Sequence, residues 1–152
     1  MAIKEVEVKI DKGDDRGKVF VVSSMPAFKA DKWARHLVKA LTRAGTQMPD
    51  DALKAGIAGL AGVAQTIFGY LDDDDADKAF DTLLECVQIR TDPQNIVVKR
   101  AVIEEDFEDA ETLSLVRAEA FKLNVGFLRA AAFQISPLVA ALSPREEQAP
   151  TA

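Results

Sequence analysis

Gly17-Lys18-Val19-Phe20-Val21-Val22-Ser23-Ser24-Met25-Pro26-Ala27-Phe28-Lys29-Ala30-Asp31-Lys32-Trp33-Ala34-Arg35-His36-Leu37-Val38-Lys39-Ala40-Leu41-Thr42-Arg43-Ala44 is the stretch that decides the fold class of this chain. Lys18–Val22 reads as an apolar strand, and Met25-Pro26-Ala27-Phe28 hands it over to an amphipathic helix expected from about Ala30 to Ala44. Gly45 supplies the residue type that favours the left-handed end of a helix. On a helical wheel Lys29, Lys32, Arg35, His36, Lys39 and Arg43 gather on one side, while Ala30, Trp33, Leu37, Val38 and Leu41 lie opposite. A strand feeding a helix with one basic face thus sits inside an otherwise acidic protein.

Upstream, Ile3–Ile10 alternates, with Val6, Val8 and Ile10 on one parity and Glu5, Glu7 and Lys9 on the other, as a half-buried strand should. The polar, glycine-bearing Asp11–Gly17 turns it into Lys18–Val22, giving a β-hairpin. Downstream, Pro49-Asp50-Asp51 opens a second helix expected to reach about Leu71. Asp72–Asp75 then forms an acidic, cap-rich junction into a third helix over roughly Ala76–Glu85. Val87–Arg90, the turn Thr91–Asn95 and Ile96–Lys99 read as a second hairpin. Glu104–Asp109 is expected to open a fourth helix, on which Leu113, Val116, Ala120, Leu123 and Phe127 share a face. The expectation is therefore an α+β fold: an N-terminal β-hairpin and a second short hairpin packed with about four α-helices. Residues 1–127 form the domain, 128–142 an apolar C-terminal segment that can be helical until Pro137 interrupts it, and 143–152 a disordered tail.

Composition narrows the function classes. With 152 residues, 48% of them hydrophobic, the chain can bury one core. Its net charge of −6 argues against nucleic-acid or anionic-membrane binding as a general activity. A single cysteine fits a reducing cytosol, and the charged Met1-Ala2-Ile3-Lys4-Glu5 start is unlike a signal peptide, so the protein is expected in the cytoplasm. Lys54 and Gln65, with Asp50-Asp51 and Asp72–Asp75 at its ends, keep the second helix from reading as a membrane span.

Chemistry-bearing residues are few. His36, the one histidine, has no Ser or Cys beside it in sequence and reads as part of a surface. Cys86 lies between a helix and a strand, where free cysteine behaves as a small buried hydrophobe. One Cys and one His cannot make a structural zinc set, and Asp72–Asp75 lacks the ligand spacing and central glycine of a calcium loop. No catalytic residue, metal or cofactor is expected. What remains is binding. The basic face of Lys32, Arg35, His36 and Lys39 is either a solvated surface or a docking face for an acidic partner. Gly56, Gly59 and Gly62, among alanines on the second helix, allow another helix to approach closely, whether within the monomer, from a second copy or from a partner. Phe127, Phe133 and Leu138 either complete the core or offer an apolar groove.

Lys18–Val22, Met25–Ala34, the glycine–alanine helix after Pro49-Asp50-Asp51, Leu83–Ile89 and Arg117–Phe127 together resemble the tail assembly chaperones of long-tailed bacteriophages, over roughly Gly17–Phe127. That resemblance implies a non-enzymatic protein of the infected host's cytoplasm. It would bind the tape measure protein, help recruit tail tube subunits and leave before the virion is complete. Such chaperones are often made in a short form and a frameshifted long form. An alternative reading of the acidic surface is a small inhibitor or regulator acting on a host or phage protein. An enzyme would need His36 or the carboxylates around Glu105 to converge in a pocket.

Overall fold

The computed structural model describes residues 4–44, 68–69 and 71–135. Four strands, β1 (Glu5–Lys9), β2 (Val19–Ser23), β3 (Val87–Ile89) and β4 (Arg100–Ala101), form one antiparallel sheet in the order β1-β2-β3-β4. Three helices, α1 (Ala27–Ala44), α2 (Asp73–Leu84) and α3 (Ala110–Ile135), complete the α+β fold among the described residues. Both expected hairpins are present and lie in one sheet. The expected helix of Pro49–Leu71, with Gly56, Gly59 and Gly62, falls almost wholly outside the described residues, as do Gly45, Leu138 and the 143–152 tail; Phe68 and Gly69 form one short helical turn.

Hydrophobic pattern explains the sheet. β1 alternates, with Val8 buried and Glu5, Glu7 and Lys9 exposed. In β2, paired on both edges, Val19, Phe20, Val21 and Val22 are all buried. Phe20 and Val22 join Val8, Val87 and Ile89 in the main core. Glu7, Val21 and Gln88 share one row of the sheet. The Arg90–Glu7 pair (3.2 Å) and the Lys99–Glu5 pair (2.9 Å) therefore link β1 to the β3–β4 side across β2. Long polar side chains thus cover the opposite sheet face with their alkyl stems.

The helices pack on the inner face. Ala30, Trp33, Ala34, Leu37 and Val38 of α1 meet Val116, Ala120, Phe121, Leu128 and Ala131 of α3 in a core tied together by edge-on aromatic contacts, Trp33 with Phe121 and Phe68 with Phe80 and Phe121. Phe127 and Leu123 are half-buried against it. Asn124 is fully buried at the centre: its Oδ1 accepts from the Met25 N–H (2.9 Å) and its Nδ2 donates to the Ala120 carbonyl (2.8 Å). One side chain thereby pins the β2–α1 corner to α3.

Three boundaries differ from the sequence expectation. α1 starts at Ala27 rather than Ala30 because the Pro26 carbonyl already accepts from the Ala30 N–H, and Phe28, off the apolar face, is left 92% exposed. α2 starts at Asp73 rather than Ala76, since Asp72 is its cap and accepts from the Asp75 N–H (2.8 Å). In the second hairpin the returning strand is Arg100–Ala101, not Ile96–Lys99. Asp92 and Asn95 accept from the N–H groups of Gln94 and Val97, and Arg90 donates to the Ile96 carbonyl, so local side chains satisfy this backbone in place of a ladder. Ile96 and Val97 are left exposed.

The acidic run Glu104–Asp109 also departs from expectation: it forms a single 3-10 turn, Glu104–Asp106, followed by an extended link, and α3 begins only at Ala110. The carboxylates are used elsewhere. Asp106 takes a two-pronged ion pair from Arg100 (2.7 and 2.8 Å) and accepts from the Ile103 N–H. Asp109 accepts from the Asp14 N–H (2.7 Å). Asp15, fully buried in the hairpin turn, accepts from the Glu108 and Asp109 N–H groups (both 3.0 Å) and from Lys18 (2.7 Å). Burial opposes ionisation of Asp15, but hydrogen bonds from Lys18, Thr112 and those two N–H groups outweigh it and hold the carboxyl far below its ordinary range. Gly13 belongs to the same clasp: its φ is +83°, and a Cβ there would collide with the Asp109 carboxylate.

Candidate functional site

The basic side chains of α1 are placed by two ion pairs. Near the start of α1, Lys29 meets Glu85 (2.6 Å), just past the end of α2; near its end, Arg43 meets Asp75 (2.8 Å), in the first turn of α2. The two helices therefore run antiparallel with charged closures at both ends. Between these closures lies a groove of about 480 Å³. Trp33, Leu37 and Ala40 from α1 and Ala79 from α2 give it apolar surface, and the Trp33 Nε1 donates a long hydrogen bond to the Ala79 carbonyl (3.4 Å). Lys32, His36 and Lys39 from α1 and Lys78 from α2 also line it and are exposed.

With Lys29 and Arg43 paired to Glu85 and Asp75, Lys32, Lys39 and Lys78 are the lining cations that give this groove a positive field on a negatively charged protein. No group of three or more potential metal ligands occurs among the described residues. Cys86 is not part of the groove lining: it is buried, with its Sγ near Asn124 and the Thr82 carbonyl, and burial pushes its thiol up to about 11. The arrangement suits a charged, partly apolar ligand surface.

The structure brings Lys32, His36 and Lys39 to this groove and leaves Arg35 out of it, paired instead with Asp31 (2.9 Å) one turn back on the same helix. Phe127 lies against the core from α3, and Phe133 falls on α3 with its side chain outside the described set. Sequence reading missed Lys78. It stands alone on a largely acidic helix, and only its pairing with α1 reveals that it faces the same groove. It also missed Asp15 and Asn124, whose burial no local pattern announces.

The family model for "Phage tail assembly chaperone protein, TAC" matches residues 16–133. The chain belongs to this phage tail assembly chaperone family. The matched span takes in β2, α1, α2, β3, β4, the α1/α2 groove and all but the last two residues of α3. No curated protein and no solved structure matches the chain. No helix among the described residues is long and apolar enough to cross a membrane.

Proposed function

We propose that this chaperone binds the tape measure protein and helps recruit tail tube subunits to it, without catalysis, in the host cytoplasm, and is released before the virion matures. Membership of the tail assembly chaperone family over residues 16–133 is the observation that carries the reading. The physical need is plain: an unassembled tape measure protein, if it is a long helix, exposes apolar stripes to solvent and to its own copies. A binder that covers such stripes requires apolar surface of its own. The segment bearing Gly56, Gly59 and Gly62, which the sequence leads one to expect as a helix, and the segment 128–142, with Phe127, Phe133 and Leu138, are the proposed apolar contacts; Lys32, His36 and Lys39 add a charged one. Self-association through the small-residue segment of Gly56, Gly59 and Gly62 is the proposed form of any oligomer.

Co-expression with the tape measure protein, followed by affinity capture and sizing, tests this. The expected result is a soluble complex formed only when both chains are present. A tape measure protein that aggregates equally with and without this chain, while the chain elutes alone, overturns it.

A further inference from the structure

The α1/α2 groove holds more positive charge than the fold uses. Lys29 and Arg43 close its ends in ion pairs, but Lys32, Lys39 and Lys78 make no ion pair among the described residues. Like charges three and four residues apart along α1, Lys29 with Lys32 and Lys39 with Arg43, oppose helix formation. Between them the floor of Trp33 and Leu37 is apolar but almost covered, 7% and 3% exposed, so the apolar surface a partner could reach is chiefly the alkyl stems of the exposed lysines. A small anionic metabolite would be held by convergent, buried polar groups. Here the cations are spread along the rim instead. From Lys29 to Arg43 the rim extends about 21 Å at 1.5 Å per helical residue.

We propose that this groove binds an acidic amphipathic helix of a partner protein, its carboxylates beside Lys32, Lys39 and Lys78 and its apolar side chains against the alkyl stems of those lysines over the edges of Trp33 and Leu37. This goes beyond the assembly role by naming the recognised segment, and it holds whichever assembly protein carries that segment. The net charge of −6 disfavours a nucleic acid, whose continuous phosphates would meet repulsion beyond the groove, whereas a helix of about four turns matches the length of the rim.

Trp33, the sole tryptophan, lies in the groove lining and reports occupancy directly. The full chain is titrated with a synthetic peptide of roughly 14 residues, leucines at i, i+3, i+4 and i+7 and glutamates on the flanks. A lysine-flanked version, a scrambled version and a single-stranded oligonucleotide serve as comparisons. The expected result is a saturable change in Trp33 emission with the glutamate peptide, weakened about tenfold or more when salt is raised to roughly 0.5 M. Combined Lys32→Glu, Lys39→Glu and Lys78→Glu should weaken binding by at least about tenfold, and the matching Gln variants by less, with unfolding midpoints unchanged. Arg35→Glu, outside the groove, should leave binding unaltered. Equal binding of the lysine-flanked or scrambled peptide, tighter binding of the oligonucleotide, or an undiminished triple variant overturns the proposal. The two readings fail separately. A tape measure complex that forms equally well with the triple variant removes the groove alone; peptide binding without any such complex removes the tape measure role alone.

Discussion

Replacing Asp15 with alanine should be the most destabilising single change in the β1–β2 turn. The carboxylate accepts from Lys18 Nζ at 2.7 Å and from the Glu108 and Asp109 N–H groups at 3.0 Å each. Charge-assisted hydrogen bonds contribute about 1.5 kcal/mol each, so three amount to about 4.5 kcal/mol. Lys18 also donates to the Asp106 carbonyl and its side chain is 29% exposed, so it regains water when Asp15 is lost. That recovery reduces the expected loss to about 3 kcal/mol, or roughly 10 °C in Tm for a chain of this size. Asp15→Asn, which keeps an acceptor but not the charge, should lose about half as much. Because the folded carboxyl is held below its ordinary range, its contribution is fully present above the unfolded pKa and fades as pH falls through the folded value. In urea unfolding followed by circular dichroism, the gap between wild type and Asp15→Ala should therefore narrow from about pH 6 to about pH 3. A gap below about 1 kcal/mol at neutral pH, or one that does not change with acid, would refute the clasp as a source of stability.

Gly13→Ala should destabilise by about 2 kcal/mol, from a positive φ combined with collision against Asp109, whereas Gly17→Ala, also at positive φ but with open space around it, should lose about 1 kcal/mol; paired urea midpoints separate the two. Asn124→Ala should lose about 2 kcal/mol by stranding the Met25 N–H and leaving a void, and Asn124→Leu should not restore stability, since it fills the void without supplying the acceptor. Cys86 should resist a thiol reagent in the native protein and label fully in denaturant, because burial disfavours its thiolate; rapid native labelling would contradict its placement. Acid should also weaken the Arg100–Asp106 link, since that ion pair holds Asp106 below its ordinary range, so Asp106→Asn should have its largest effect on the unfolding midpoint near neutrality and a smaller one below about pH 4.

Elements whose side chains alternate or recur with a regular period are legible in the amino-acid order alone. β1 and β2 announce themselves through Val6 and Val8 and through the unbroken Val19–Val22, and α1 through the opposition of Trp33 and Leu37 to its lysines. Expectation and structure part where short polar side chains satisfy the backbone. Asp92 and Asn95 hold Ile96–Val98 out of the sheet despite strong strand propensity, and the acids of 104–109 look like a helix start because carboxylates favour helix N-termini. Their partners, Arg100, Asp14 and Asp15, are distant in the reading frame of a helix or remote in sequence, so no local pattern distinguishes a capping acid from a clasping one.

The groove shows the same division between local and tertiary information. A basic stripe on α1 is readable from spacing alone, and that spacing groups Lys32, His36 and Lys39, which all line the groove. Whether the stripe is a flat solvated face or the wall of a groove depends on α2, and the pairs that dock α2, Lys29 with Glu85 and Arg43 with Asp75, join residues 56 and 32 positions apart. Arg35, grouped with the others by the wheel, is withdrawn by Asp31 four residues earlier. The groove also shares no side chain with the Asp15 clasp or with the Asn124 pin. Charge reversal at Lys32, Lys39 and Lys78 removes no side-chain ion pair among the described residues, so recognition can be altered there while the clasp, the pin and the core of Phe20, Phe121 and Leu128 stay intact.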